Sequence, residues 1–104
     1  MPRKFTVRIQ REAAAELDHI YAYLYRQAPH AAVKFLMTLK KKVLTLRSFP
    51  YRGTQVRLLA HPKDKIVPRF IEHNGYLIFY KVEQNIVFVL HIAGPGQDWI
   101  QLLI

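Results

Sequence analysis

The sequence predicts an α+β domain. An N-terminal strand and an antiparallel helical hairpin come first, and the hairpin packs on one face of a mainly antiparallel sheet that ends in a three-strand meander. Three observations carry that prediction. Apolar residues recur at helical spacing in two stretches of the first half. Two near-continuous apolar runs, residues 76–82 and 86–93, stand back to back in the second half with only Glu83-Gln84-Asn85 between them. Asn74-Gly75 sits directly before the first run, a two-residue hairpin signal because both central positions of a type I′ turn need positive φ.

The first strand is read at residues 5–10, where Phe5, Val7 and Ile9 alternate with Thr6 and Arg8. A helix follows over residues 11–27, with Ala13, Leu17, Ile20 and Leu24 as its stripe and Ala14, Tyr21 and Ala28 beside them. Gln10 is a poor N-cap and marks the start only loosely. Ala28-Pro29 closes the helix, since proline disfavours helical geometry in the residue before it. Proline is tolerated in a first turn, so a second helix opens at Pro29-His30 and runs to Arg47, ahead of Ser48-Phe49-Pro50. Its stripe is Ala32, Phe35, Leu36, Leu39, Val43 and Leu46. The short connection makes the pair an antiparallel hairpin. Arg52-Gly53-Thr54 reads as a turn, residues 55–59 as a short strand and residues 61–65 as a basic loop. Strands are expected at 67–73, 76–82 and 86–92, with Gln84-Asn85 in the last turn and Gly94-Pro95-Gly96 as the stop. The first strand must join this sheet to bury its apolar side. Residues 1–104 therefore form one domain, without repeats, low-complexity segments or a linker.

Six of the seven residues in the run 76–82 and seven of the eight in 86–93 are apolar. A strand with one wet face alternates, whereas strands like these are covered on both faces. Two helices cover one face, so the other calls for a lid, and a partner polypeptide is the expected occupant. Tyr23 and Tyr25, off the helical stripe, join Leu77, Phe79, Phe88 and Leu90 as expected partner-binding residues.

The formal charge is +9 and the pI about 10.1. That surplus favours a polyanionic partner, either nucleic acid or an acidic protein, although solubility alone also uses it. Lys40-Lys41-Lys42 spreads around its helix and reads as a solvated face. The chain has no cysteine, which excludes disulfides and thiolate metal sites and fits a reducing cytosol. No apolar run reaches the ~18 to 20 residues that span a bilayer. The opening residues pass straight into a strand, so a cytoplasmic protein without a membrane partner is expected. The histidines lack metal-ligand spacing and the glycines each fit a turn, so neither metal nor cofactor is expected.

Four features together resemble the RelE/ParE superfamily of bacterial toxins from type II toxin–antitoxin systems, over residues 5–98. The first is the element order. The second is the helix segment Glu12-Ala13-Ala14-Ala15-Glu16-Leu17-Asp18-His19-Ile20-Tyr21-Ala22-Tyr23-Leu24. The third is Ala28-Pro29-His30-Ala31-Ala32, leading into a helix that closes with Leu46-Arg47-Ser48-Phe49-Pro50-Tyr51-Arg52-Gly53. The fourth is Arg69-Phe70 followed by Gly75-Tyr76-Leu77-Ile78-Phe79-Tyr80-Lys81-Val82 and Val87-Phe88-Val89-Leu90-His91-Ile92. The ParE branch is resembled more than the RelE branch.

The resemblance implies a toxin that poisons DNA gyrase, as ParE-like members do, or that cleaves messenger RNA on the ribosome, as RelE-like members do. It also implies a cognate antitoxin, acidic in the segment that wraps the toxin. An inactive member that only binds antitoxin is the third reading. In the RelE-like case Arg69 would be catalytic, with His91 or a lysine as the proton carrier. A histidine in an apolar strand also serves as a structural hydrogen-bonding residue. No arginine follows His91 and no tyrosine follows Tyr80, which departs from the nuclease pattern. The ParE-like expectation is action by binding, with Arg57, Lys63, Lys65, Arg69, Gln97, Asp98 and Trp99 facing the target. For Trp99, capping the sheet edge and docking into an interface are both open.

Overall fold

A computed structural model describes residues 4–60, 63 and 65–98 of the chain. The elements run β1 (Thr6–Ile9), α1 (Arg11–Gln27), α2 (Pro29–Leu44), β2 (Thr54–Gln55), β3 (Arg69–His73), β4 (Tyr76–Glu83) and β5 (Ile86–Ala93). One five-stranded sheet has the order β1-β5-β4-β3-β2. β1 pairs parallel with β5, and the remaining pairs are antiparallel, so the sheet is mixed in the way the hairpin-then-meander order requires.

The helix stripes behave as their periodicity demands. Ala13, Phe35, Leu39, Val43 and Leu46 are buried against Ile71, Ile78, Tyr80, Val87, Val89 and Ile92 of the sheet, with Leu17, Ile20 and Leu24 packed around them. Ala14 and Ala28, expected beside the first stripe, are exposed. The side chain of Gln10 makes no capping bond, and Pro29 stands in the first turn of α2. α2 ends at Leu44 and tightens into a 3-10 turn over Thr45–Arg47, which still carries Leu46 into the core.

Two local features account for the apolar runs. The register steps from Tyr80↔Val89 to Phe79↔His91, leaving Leu90 as an extra residue on β5. This bulge flips the inward phase from Val87 and Val89 to Ile92, so one strand shows apolar residues in both phases. The second feature corrects the expectation that only another molecule covers the far sheet face. Residues 55–59 do not form a strand. A two-residue β2 gives way to a 3-10 turn over Arg57–Leu59, and this places Val56 on that face against Phe79 and Ala93, with Phe70 and Leu77 around them. The Val56 N–H donates to the Pro68 carbonyl at 2.8 Å, which fixes the tuck.

The turns follow from backbone chemistry. Asn74 and Gly75 have φ of 51° and 84°, as a type I′ hairpin needs. In the next turn Gln84 takes the positive φ, at 56°. β1 leaves β5 at Ile9, and beyond that point Glu16 of α1 takes over the exposed strand edge. Its Oε1 accepts the Ile92 N–H at 2.9 Å, and the carboxylate lies 3.2 Å from His91 Nδ1. The first helix is thereby tied to the last strand through a backbone donor that would otherwise be unpaired.

Candidate partner-binding surfaces

β1 is four residues long and lies at the sheet edge, so the helices cannot close fully over it. An apolar groove of about 140 Å³ remains there, lined by Val7 and Ile9 from β1, Leu17 from α1, and Leu39, Val43 and Leu44 from α2. Ile9 is 44% exposed and Leu44 51% exposed at its rim. Along α2, Val33, Met37 and Leu44 share a second face at spacings of four and seven, and all three are exposed. α2 thus carries two apolar faces, one in the core and one in water. Lys40, also exposed, stands on this second face between Met37 and Leu44 and lines the groove, so the apolar stripe carries one cation at its centre. Val33, Met37 and Leu44 are not singled out by the sequence reading, and Ile9, expected on the buried side of the first strand, is exposed because β1 is the short edge strand. The signal was present, because Val33, Met37 and Leu44 fall outside the core stripe at helical spacing.

The six expected partner-binding residues do not form one surface. Tyr23 and Tyr25 are exposed on α1, and Tyr25 packs on Tyr21 with ring centroids 5.8 Å apart. Leu77, Phe88 and Leu90 are half-buried, Phe88 lying under the Lys81 ammonium at 5.5 Å. Phe79 is a correction: it is 0% exposed, in the cluster that Val56 completes, and offers no contact surface.

The expected target-facing residues also divide. Arg57, Lys63 and Lys65 are exposed, and Lys65 shares a groove with Tyr51, Gln55 and Arg69. Arg69 is half-buried and heavily committed. Its Nη1 donates to the Tyr51 and Gly53 carbonyls at 2.7 and 2.9 Å, and its guanidinium lies 5.4 Å above the Tyr51 ring. Gln97 and Asp98 lie past the C-terminal end of β5, beside the start of β4, whereas Arg69 pairs with Tyr80 further along that strand. They therefore do not join the Lys65–Arg69 group. The Gln97 side chain accepts the Gly94 N–H at 2.9 Å, closing the turn after β5. Trp99 lies outside the described residues.

Arg69 and His91 are not brought together. In the register, Arg69 aligns with Tyr80 and Val89 on the helix side, while His91 aligns with Phe79 and Phe70 on the opposite side. His91 is engaged by Glu16 instead, and His73 by Thr38 Oγ1 at 3.0 Å from its Nε2. Among the described residues, no three His, Asp or Glu side chains converge in a way that would hold a metal ion. Next to Arg69, Tyr80 Oη accepts the Gly53 N–H at 2.9 Å. Burial pushes the Tyr80 phenol above its ordinary value, against the smaller opposing pull of that N–H and of Arg69 and Arg52. No helix among the described residues is long and apolar enough to cross a membrane.

Comparison with known proteins adds two findings. The family model described as the ParE toxin of the type II toxin–antitoxin system parDE matches residues 7–99. Among solved structures, the chromosomal ParDE toxin–antitoxin system from P. aeruginosa superposes with a TM-score of 0.69 at 19% identity. That likeness covers 90% of this chain and 99% of the other. No curated protein sequence matches the chain.

Proposed function

The chain belongs to the ParE toxin family of type II toxin–antitoxin systems, and from that premise we propose that it acts by binding DNA gyrase and is neutralised by a cognate antitoxin. The observation that carries the proposal is the family match over residues 7–99. The site geometry supports binding over catalysis. RNA cleavage needs a proton acceptor, a proton donor and cations around one phosphate. Here Arg69 and His91 face opposite sides of the sheet, and each is already paired with a carbonyl or a carboxylate.

For the antitoxin, the groove between β1 and α2 supports a role as the principal contact. An amphipathic segment would cover Ile9, Val33, Met37 and Leu44, removing apolar area from water at ~25 cal/mol per Å². The net charge of +9 suits a segment with an acidic flank. Half-buried Leu77, Phe88 and Leu90 on the far sheet face form a second, smaller contact.

Expression of the chain alone tests the target. Gyrase poisoning predicts a DNA-damage response and filamentous cells. An immediate stop in translation with cleaved messenger RNA would replace this reading with the nuclease one. Unaffected growth would point to a member that binds antitoxin and nothing else.

A further inference from the structure

Where the chain leaves α2, it exposes two aromatic rings among cations. Phe49 is 67% exposed and Tyr51 58% exposed. Tyr51 is held in place rather than merely uncovered. Arg69 lies over its ring and bonds its carbonyl, and Phe5 meets the ring edge-on with centroids 6.1 Å apart. Arg52 is held at the same turn, its Nη2 donating to Thr45 Oγ1 at 2.6 Å. Lys65 and Gln55 line the groove that runs from Tyr51 to Arg69. On the other side of the turn, Lys42 and Arg52 line a second groove with Thr54. Glu72 is the one carboxylate among the described residues lining either groove, and it accepts the Gly75 N–H at 2.6 Å at the far end of β3.

We propose that this end of the molecule binds a single-stranded polynucleotide. Phe49 and Tyr51 receive unpaired bases, and Arg52, Lys65 and the guanidinium over Tyr51 offset the phosphates. Stacking on an aromatic ring requires a base whose face is free, which a duplex does not offer along its length. A peptide of acidic residues alone uses the cations but leaves both rings uncovered. A fixed ring flanked by cations is the arrangement that nonspecific single-strand binding uses, and the surplus of +9 draws the polyanion in. The proposal does not depend on gyrase being the target, because it concerns a property of the isolated chain.

Fluorescence anisotropy with the purified full chain tests it, using labelled single-stranded DNA, single-stranded RNA and duplex DNA at about 50 and 200 mM salt. Single strands should bind more tightly than the duplex, and a preference between the two sugars identifies the natural source. Phe49→Ala should weaken single-strand binding about tenfold without changing the salt slope. Arg52→Gln should reduce that slope by about 0.7, the share of one phosphate contact on a single strand. Arg26→Gln, which removes the same charge from the last turn of α1, should do neither. If Phe49→Ala also lowers the melting temperature, Phe49→Tyr must restore affinity, since it keeps a ring that can stack. Equal binding of duplex and single strands with no effect of Phe49→Ala would overturn the proposal and leave charge attraction alone. So would polyglutamate binding that depends on Phe49 to the same degree, which would make this a protein-docking surface.

Discussion

At Gly53 the backbone N–H donates to Tyr80 Oη at 2.9 Å, and both residues are buried beside the strand that carries Arg69. A side chain at Gly53 would place a Cβ against that phenol and 2.8 Å from the Phe70 carbonyl oxygen, so glycine is required here for close approach. Gly53→Ala should cost about 1–3 kcal/mol through overpacking, read from the midpoint of urea unfolding. Tyr80→Phe should cost about 1–3 kcal/mol for a different reason, because it leaves the buried N–H unpaired. Its pH signature separates the two. The folded protein holds the Tyr80 proton more tightly than the unfolded chain does, so this contribution is complete below the ordinary value of 10.0. It is lost as pH climbs from there through the raised folded-state value. Stability measured across that alkaline range should therefore fall less steeply in Tyr80→Phe than in the parent, whereas Gly53→Ala should lower the whole curve.

Among the elements, α1 depends most on a single polar tie. Glu16 accepts the Ile92 N–H where β1 has left the edge of β5. Glu16→Ala should cost about 1–2 kcal/mol and speed hydrogen exchange at Ile92. Glu12→Ala, on the exposed first turn, should cost about 0.5 kcal/mol. The contrast also shows which parts of the fold were legible in the sequence. Both helices, their core stripes, the Pro29 start and the Asn74-Gly75 turn follow from local patterns, and the structure places them accordingly. The Leu90 bulge does not, because pleat phase is set by the partner strand and not by β5 itself. Val56 was missed for a similar reason. Its burial needs the backbone of Pro68, and no periodicity in residues 55–59 encodes that contact. Without the bulge and the Val56 tuck, apolar runs look like two fully buried faces, and Phe79 looks available to a partner. The exposed Val33, Met37 and Leu44 stripe was legible in principle but lay beside a stronger one. Arg69 stands out in the sequence, yet only the fold shows that its Nη1 donates to the Tyr51 and Gly53 carbonyls.

At the scale of the whole molecule, the described residues form a slab of 43 × 37 × 20 Å. Its thin dimension holds one helix layer on one sheet, since packed layers lie about 10 Å apart. A two-layer domain of this size leaves an open edge where β1 is short, and the apolar groove sits there. If the groove is where antitoxin docks, calorimetric titration should give a negative heat-capacity change, and binding should persist at high salt. Leu44→Asp should weaken that binding about tenfold or more, because covering the site would then bury a carboxylate. Tyr25→Ala, on the outer side of α1, should change it less. The central claim is that the chain disables gyrase by binding it, and supercoiling of relaxed plasmid by purified gyrase tests this most directly. Increasing amounts of the chain should stop supercoiling and accumulate cleaved DNA, and the cognate antitoxin should reverse both. Supercoiling and cleavage that remain unaffected, while the same preparation cuts messenger RNA on ribosomes, would contradict it.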